Sequence, residues 1–191
     1  MDDGFVLASS SPRRRDLLAQ LGVTPDLLLA PEIDETPRSG ELPRAYVTRM
    51  AREKAQAVAA RAPQPSVLLA ADTTVACGRR ILPAATTPEL VDQCLRLLSG
   101  RRHTVHTAVA VVDAGGRLRE RLSATVVQFK RLSDAERAAY VACGEGLGKA
   151  GGYAIQGRAA AFVSFLSGSY SGVVGLPLHE VRQLLTASGL P

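Results

Sequence analysis

The chain has 191 residues, enough for one sizeable core or for two lobes sharing a cleft. Its start, Met-Asp-Asp-Gly, lacks the basic opening of a signal peptide, no stretch is apolar for long enough to span a bilayer, and three scattered cysteines form no C-x-x-C pair. This excludes a disulfide scaffold, a zinc ribbon and a membrane protein, and predicts a reduced, cytoplasmic protein.

The net charge is +5, with 4% aromatic residues and no Trp. The basic residues fall in short clusters, Arg13-Arg14-Arg15, Arg79-Arg80 and Arg101-Arg102. Stacking platforms for single strands are scarce, so the charge points to a small anion rather than to nucleic acid.

In chain order, Phe5 to Ala8 reads as a short buried strand. Ser11 then fits an N-cap, Pro12 the first helical position and Gly22 the stop. Thr24 to Arg44 reads as a strand followed by a loop, and Pro43 to Arg61 as a helix. Val67 to Val75 is a strand, Thr87 to Ser99 a helix, and His103 to Val112 an alternating strand that turns at Asp113. Leu122 to Lys130 is another strand, and a Ser-Asp-x-Glu box opens a helix over Ser133 to Cys143. Ala159 to Leu166 and Tyr170 to Val174 are predicted as a hairpin around Ser167-Gly-Ser, and Pro177 opens a last helix. Strands and helices alternate early and hairpins come late. The expectation is therefore an α/β fold: one domain over residues 1–191, with a mixed twisted sheet and helices on its faces.

Five segments carry misplaced polar groups. Asp72 sits inside the apolar run Val67 to Ala76, where a carboxylate needs a partner, although a turn at a strand end also explains a lone Asp. Arginines in the first turn after Ser9-Ser-Ser-Pro oppose the helix dipole, a conflict that a bound anion resolves; a solvated basic turn is the alternative, and the order strand, small polar residues, helix start favours the anion. Glu32-Ile-Asp-Glu35 is either an acidic surface loop or a site for magnesium or manganese. Lys54 shares the apolar side of its helix with Val47, Met50, Ala51 and Val58, so it snorkels to the edge or meets an anion in a cleft. Lys149 to Gly157 is a glycine-rich stretch in which the Gln156 amide can read the edge of a base, if it is more than a turn. His103 and His106, three apart in a strand, face opposite sides and do not share a metal. The serines near Arg13 lack a partner His for a hydrolase triad.

As a set these segments resemble the Maf family of nucleoside triphosphate pyrophosphatases, along nearly the whole chain and in order. The carriers are Leu7-Ala-Ser-Ser-Ser-Pro-Arg-Arg-Arg, Ile33-Asp-Glu-Thr-Pro, Ala51-Arg-Glu-Lys-Ala, Ala71-Asp-Thr, Leu98-Ser-Gly, Lys149-Ala-Gly-Gly-Tyr-Ala-Ile-Gln-Gly and Val174-Gly-Leu-Pro-Leu. The resemblance implies a fold like that of inosine triphosphate pyrophosphatases, two lobes around a cleft, and hydrolysis of a nucleotide to its monophosphate and pyrophosphate with a divalent metal. Arg13, Thr73 and Gln156 match the subgroup acting on dTTP and UTP; the 7-methyl-GTP type would show Trp, Gln and Glu there. By the same resemblance Asp72 is the proton acceptor, Glu35 and Lys54 accompany it, and Glu35 and Asp72 hold the metal (Mg or Mn). Ser9, Arg13, Arg14, Thr73, Lys149 and Gln156 bind substrate, and the chain can pair as a homodimer.

One departure stands out. Where the family usually carries a lysine beside the proline, this chain reads Leu82-Pro-Ala-Ala, with Ala84 in the lysine's place. The loss favours a weakened enzyme, one in which Arg79 or Arg80 takes over, or a non-catalytic nucleotide-binding regulator of cell division. A nucleic-acid module is the other rival, favoured by charge and disfavoured by aromatic scarcity.

Overall fold

A computed structural model describes residues 4–190. The elements are β1 (Gly4–Ala8), α1 (Pro12–Gln20), β2 (Leu27–Leu28), α2 (Pro43–Ala59), β3 (Ser66–Cys77), β4 (Arg80–Leu82), α3 (Pro88–Leu98), β5 (Arg102–Val112), β6 (Leu118–Phe129) and α4 (Asp134–Cys143). A 3₁₀ turn at Arg158–Phe162, β7 (Val163–Ser167), α5 (Tyr170–Val174) and α6 (Leu178–Thr186) complete the chain.

The sheet runs β2-β1-β3-β5-β6-β7, with β4 added to β3. β2, β1 and β3 are parallel and the remaining pairs antiparallel, so the sheet is mixed as expected. One face of its β1 end packs on α2 through Val47, Ala51, Ala55 and Val58; the other packs on α1 and α6 through Leu17, Leu18, Val181 and Leu185. Burying such aliphatic side chains contributes roughly 1.5–3 kcal/mol each. A separate cluster lies under α3 and α4 at the far end of the long strands, around Leu95, Leu98, Phe129 and Tyr140.

The gap between these ends has a backbone cause. β1 covers the edge of β3 as far as Ala70, its partner being Ala8, and β4 covers it again from Val75. Between them Ala71 to Thr74 have no strand on that side, and a groove opens there. The ends of β1 and β3 thus form the kind of crevice in which α/β sheets bind ligands.

Two expectations fail locally. Tyr170 to Val174 is not a strand but a short helix, because Ser169 accepts the Gly172 N–H at 2.9 Å and nucleates a turn in an apolar, β-branched run. Ala159 to Phe162 is 3₁₀ rather than strand, leaving β7 to pair with β6 alone. The α4 capping box forms as predicted, with Ser133 and Glu136 exchanging bonds.

Candidate active site

Asp72 lies in β3 with its side chain on the α2 face, the same side as Leu68 and Ala70. It is 6% exposed. Lys54, on the inner side of α2 and equally buried, places Nζ 2.7 Å from Asp72 Oδ1 and 2.9 Å from Glu35 Oε1. Of the two readings of Lys54, the cleft with an anion is the one realised. Burial pushes the Asp72 carboxyl above its ordinary value, against the pull of Lys54 and Arg14. Tyr46, which sequence reasoning missed, donates to the Glu35 carbonyl at 2.8 Å and ties the acidic loop to α2. Burial first, then Asp72 and Glu35, raise its phenol to about 12.

Of the other acidic-loop residues, Glu32 pairs with Arg61 at 3.8 Å, and Asp34 accepts from the Thr36 N–H at 2.9 Å. Neither joins the site. Glu35 and Asp72 both come within hydrogen-bond distance of one point, Lys54 Nζ. Among the described residues no group of three His, Cys, Asp or Glu gathers for an all-protein cage. Two carboxylates completed by phosphate and water oxygens are the set magnesium commonly takes, so the residues fit a divalent cation.

Thr73, one residue on, points to the opposite face, towards α1 and α5. Arg14 lies on that face. Its Nε donates to the Gly175 carbonyl at 2.9 Å and its Nη1 to Ser9 Oγ at 3.2 Å. Ser9 is buried and also accepts the Ser11 N–H at 3.1 Å, so it positions Arg14 rather than lining the groove. Burial lowers the Arg13 and Arg14 guanidinium pKa values; burial and the proximity of Arg13 lower that of Lys149. Among the described residues neither Arg13 nor Lys149 has a carboxylate partner, whereas Arg15 turns outward to Asp16. Unpaired cations crowded together call for an anion.

Arg13, Arg14, Asp72, Thr73, Lys149 and Gln156 line one cavity of about 170 Å³, with Val75, Val105 and Tyr153 at its apolar wall. A second cavity, of about 540 Å³, holds Glu35, Tyr46 and Arg79. Asp72, Thr73, Ala84 and Ala150 border both, so the two are one groove with its waist at the uncovered edge of β3. The glycine-rich segment forms the opposite lip. Ala150 bridges to Ala84, and Gly151, at φ 65°, lies so close to β3 that a Cβ would come within 2.8 Å of Val75. His103 supports this lip from below, with Nε2 2.8 Å from the buried Tyr153 hydroxyl.

Comparison with known proteins identifies the family. A family model described as Maf-like protein matches residues 4–188. The chain belongs to the Maf-like protein family. Within it, the chain is 62% identical to the dTTP/UTP pyrophosphatase of Sphingopyxis alaskensis, over 98% of this chain and 97% of the relative. It is 59% identical to that of Caulobacter vibrioides, over 97% of this chain and 95% of the relative. In structure it is similar to the HAM1 protein from Coxiella burnetii, with TM-score 0.52 at 16% identity, covering 97% of this chain and 100% of that one. That likeness concerns the fold alone, and it is the fold expected of a Maf chain. No helix of the described residues is long and apolar enough to cross a membrane.

Proposed function

We propose that this chain hydrolyses dTTP and UTP to the nucleoside monophosphate and pyrophosphate. The observation that carries the reading is the groove's polarity. Asp72, Lys54 and Glu35 stand on the α2 side of the sheet. Arg13, Arg14 and Lys149 line the groove across the waist, and among the described residues none of them forms an ion pair with a carboxylate. A triphosphate threaded between them is neutralised on one side and attacked from the other. The activity named for its close relatives supports the same conclusion.

Glu35 and Asp72 would hold a divalent cation, magnesium or manganese, which when bound polarises phosphoryl oxygens and lowers the pKa of water. The Asp72 carboxyl, held above its ordinary value by burial, takes the proton from the water that attacks the α-phosphorus. Lys54 holds Asp72 and Glu35 in place. Arg14, oriented by Ser9 and Gly175, and Arg13 and Lys149 stabilise charge on the departing pyrophosphate. The base lies against Val75, Val105 and Tyr153, with Thr73 and Gln156 at its polar edge.

The test is pyrophosphate release from dTTP, UTP, CTP and 7-methyl-GTP with manganese. Preference for dTTP and UTP, abolished in Asp72→Asn with the fold intact, is the expected result. Preference for 7-methyl-GTP, or full activity in Asp72→Asn, would sink it.

A further inference from the structure

Resting on that reading, we infer that Arg49, together with Tyr46, is a positioning residue that sets the affinity for the divalent cation, by clamping the acidic loop to α2 so that Glu35 and Asp72 converge on one point.

Glu35 sits in a stretch, residues 29–38, that is neither strand nor helix, and its side chain is 54% exposed. Burial therefore does not fix it. Hydrogen bonds from α2 do. Tyr46, Arg49 and Glu53 follow one another at three and four residues, a single stripe of the helix, with Lys54 next to it. The Arg49 guanidinium donates from Nε and Nη2 to the two carboxylate oxygens of Glu41, both at 2.7 Å. Nη2 also donates to the Thr36 carbonyl, and Nη1 to Glu53 Oε2, each at 3.2 Å. Glu41 in turn accepts the Arg38 N–H at 3.0 Å, which closes the turn that follows Glu35. The Tyr46 ring centre lies 5.6 Å from the Arg49 guanidinium carbon, and its hydroxyl donates to the Glu35 carbonyl at 2.8 Å. Glu35 and Thr36, neighbours in the loop, are thus each held at the carbonyl by one of two packed side chains of α2.

All three guanidinium nitrogens are engaged, so Arg49 differs from Arg13 and Lys149: it is committed to the loop rather than to a phosphate. The pair with Glu41 is also largely shielded from water, which leaves it strong. Such a clamp acts before any ligand arrives. A carboxylate on a free loop must be ordered when it takes a cation, and the lost entropy weakens binding; one already held loses little. The charge of Arg49 works the other way, because a positive group near a cation site repels the cation. Positioning and charge therefore predict opposite outcomes when Arg49 is removed.

The experiment measures manganese binding to the nucleotide-free protein, from the paramagnetic resonance of the free ion, in the unaltered chain, Arg49→Met and Glu35→Gln. Thermal unfolding is the fold control. Arg49→Met is expected to weaken manganese binding by at least about tenfold, the usual effect of losing a group that orients a metal ligand. The manganese concentration for half-maximal UTP hydrolysis should rise in step, and saturating manganese should restore kcat. A folded Arg49→Met that binds manganese as tightly as the unaltered chain, or more tightly, overturns the proposal and leaves the pyrophosphatase reading intact. An unaltered chain that binds no manganese, or binds it equally well in Glu35→Gln, overturns both the clamp and the metal role of Glu35. Should Arg49→Met not fold, Tyr46→Phe removes the other bond to the loop with no change of charge. Weaker manganese binding in that variant supports the clamp, and undiminished binding refutes it.

Discussion

Lys54 Nζ lies 2.7 Å from Asp72 Oδ1, a buried ion pair joining the middle of α2 to the middle of β3. Removing one partner of such a pair strands the other. Lys54→Met is expected to cost about 3–5 kcal/mol in denaturant unfolding. The double variant Lys54→Met/Asp72→Asn should recover most of it, because the carboxylate left behind, Glu35, is half-exposed and stays hydrated. Equal stability of the single variant and the unaltered protein would mean that water already screens the pair.

Under the proposed mechanism Asp72 is the base, and burial holds its carboxyl above 3.8. In the metal-free protein it should therefore titrate with a midpoint above 3.8, read from its carboxyl carbon resonance. A midpoint at or below that value would mean that Lys54 and Arg14 outweigh burial.

His103 makes folding sensitive to acid. Burial depresses its imidazole from 6.5 to about 4, so the unfolded chain takes up the proton first as pH falls. A depressed folded value contributes stability above pH 6.5 that is lost as pH falls towards 4, a change on the order of 3 kcal/mol at most. His103→Gln should flatten this window in urea titrations while keeping a partner for Tyr153. An unchanged slope would place the sensitivity elsewhere.

Ala84 borders both halves of the groove. The family resemblance puts a lysine at this position, and a cation there would face the phosphates. Ala84→Lys should raise kcat, by up to about a hundredfold if the amine acts like one oxyanion donor. A candidate substitute is Arg79, which lines the larger half. If Arg79 already fills the role, Ala84→Lys adds little and Arg79→Ala lowers kcat; steady-state kinetics on both variants separates the cases.

Much of this was legible in the chain. Apolar periodicity and caps located the long strands and helices, since Thr87 and Ser133 state their helix starts locally. The ordered segments pointed to Asp72, Lys54, Glu35, Arg13, Arg14, Thr73, Lys149 and Gln156, and the structure brings these to one groove. Periodicity could not say whether Lys54 turned inward or snorkelled, because both keep it on the same helical face. α5 was misread because its apolar, β-branched residues resemble a strand, while the Ser169 cap acts through only a few atoms. Ser9 joined the serine cluster as a ligand group, yet its burial makes it a support for Arg14. Tyr46 and Arg49 left no signal at all, since each matters only through its bonds to the irregular loop before α2.

The uncovered run of β3 lets one bound molecule touch both surfaces of the sheet. Residues 72 and 73 are adjacent in sequence but serve opposite surfaces, one beside Lys54 and the other beside Thr107. Under the proposed mechanism, bond cleavage and base choice are thereby insulated from each other by the thickness of a single strand. On that proposal, exchanging Thr73 would retune selection while the Asp72 carboxylate keeps its neighbours, so new nucleotide preferences could arise here without rebuilding the hydrolytic apparatus.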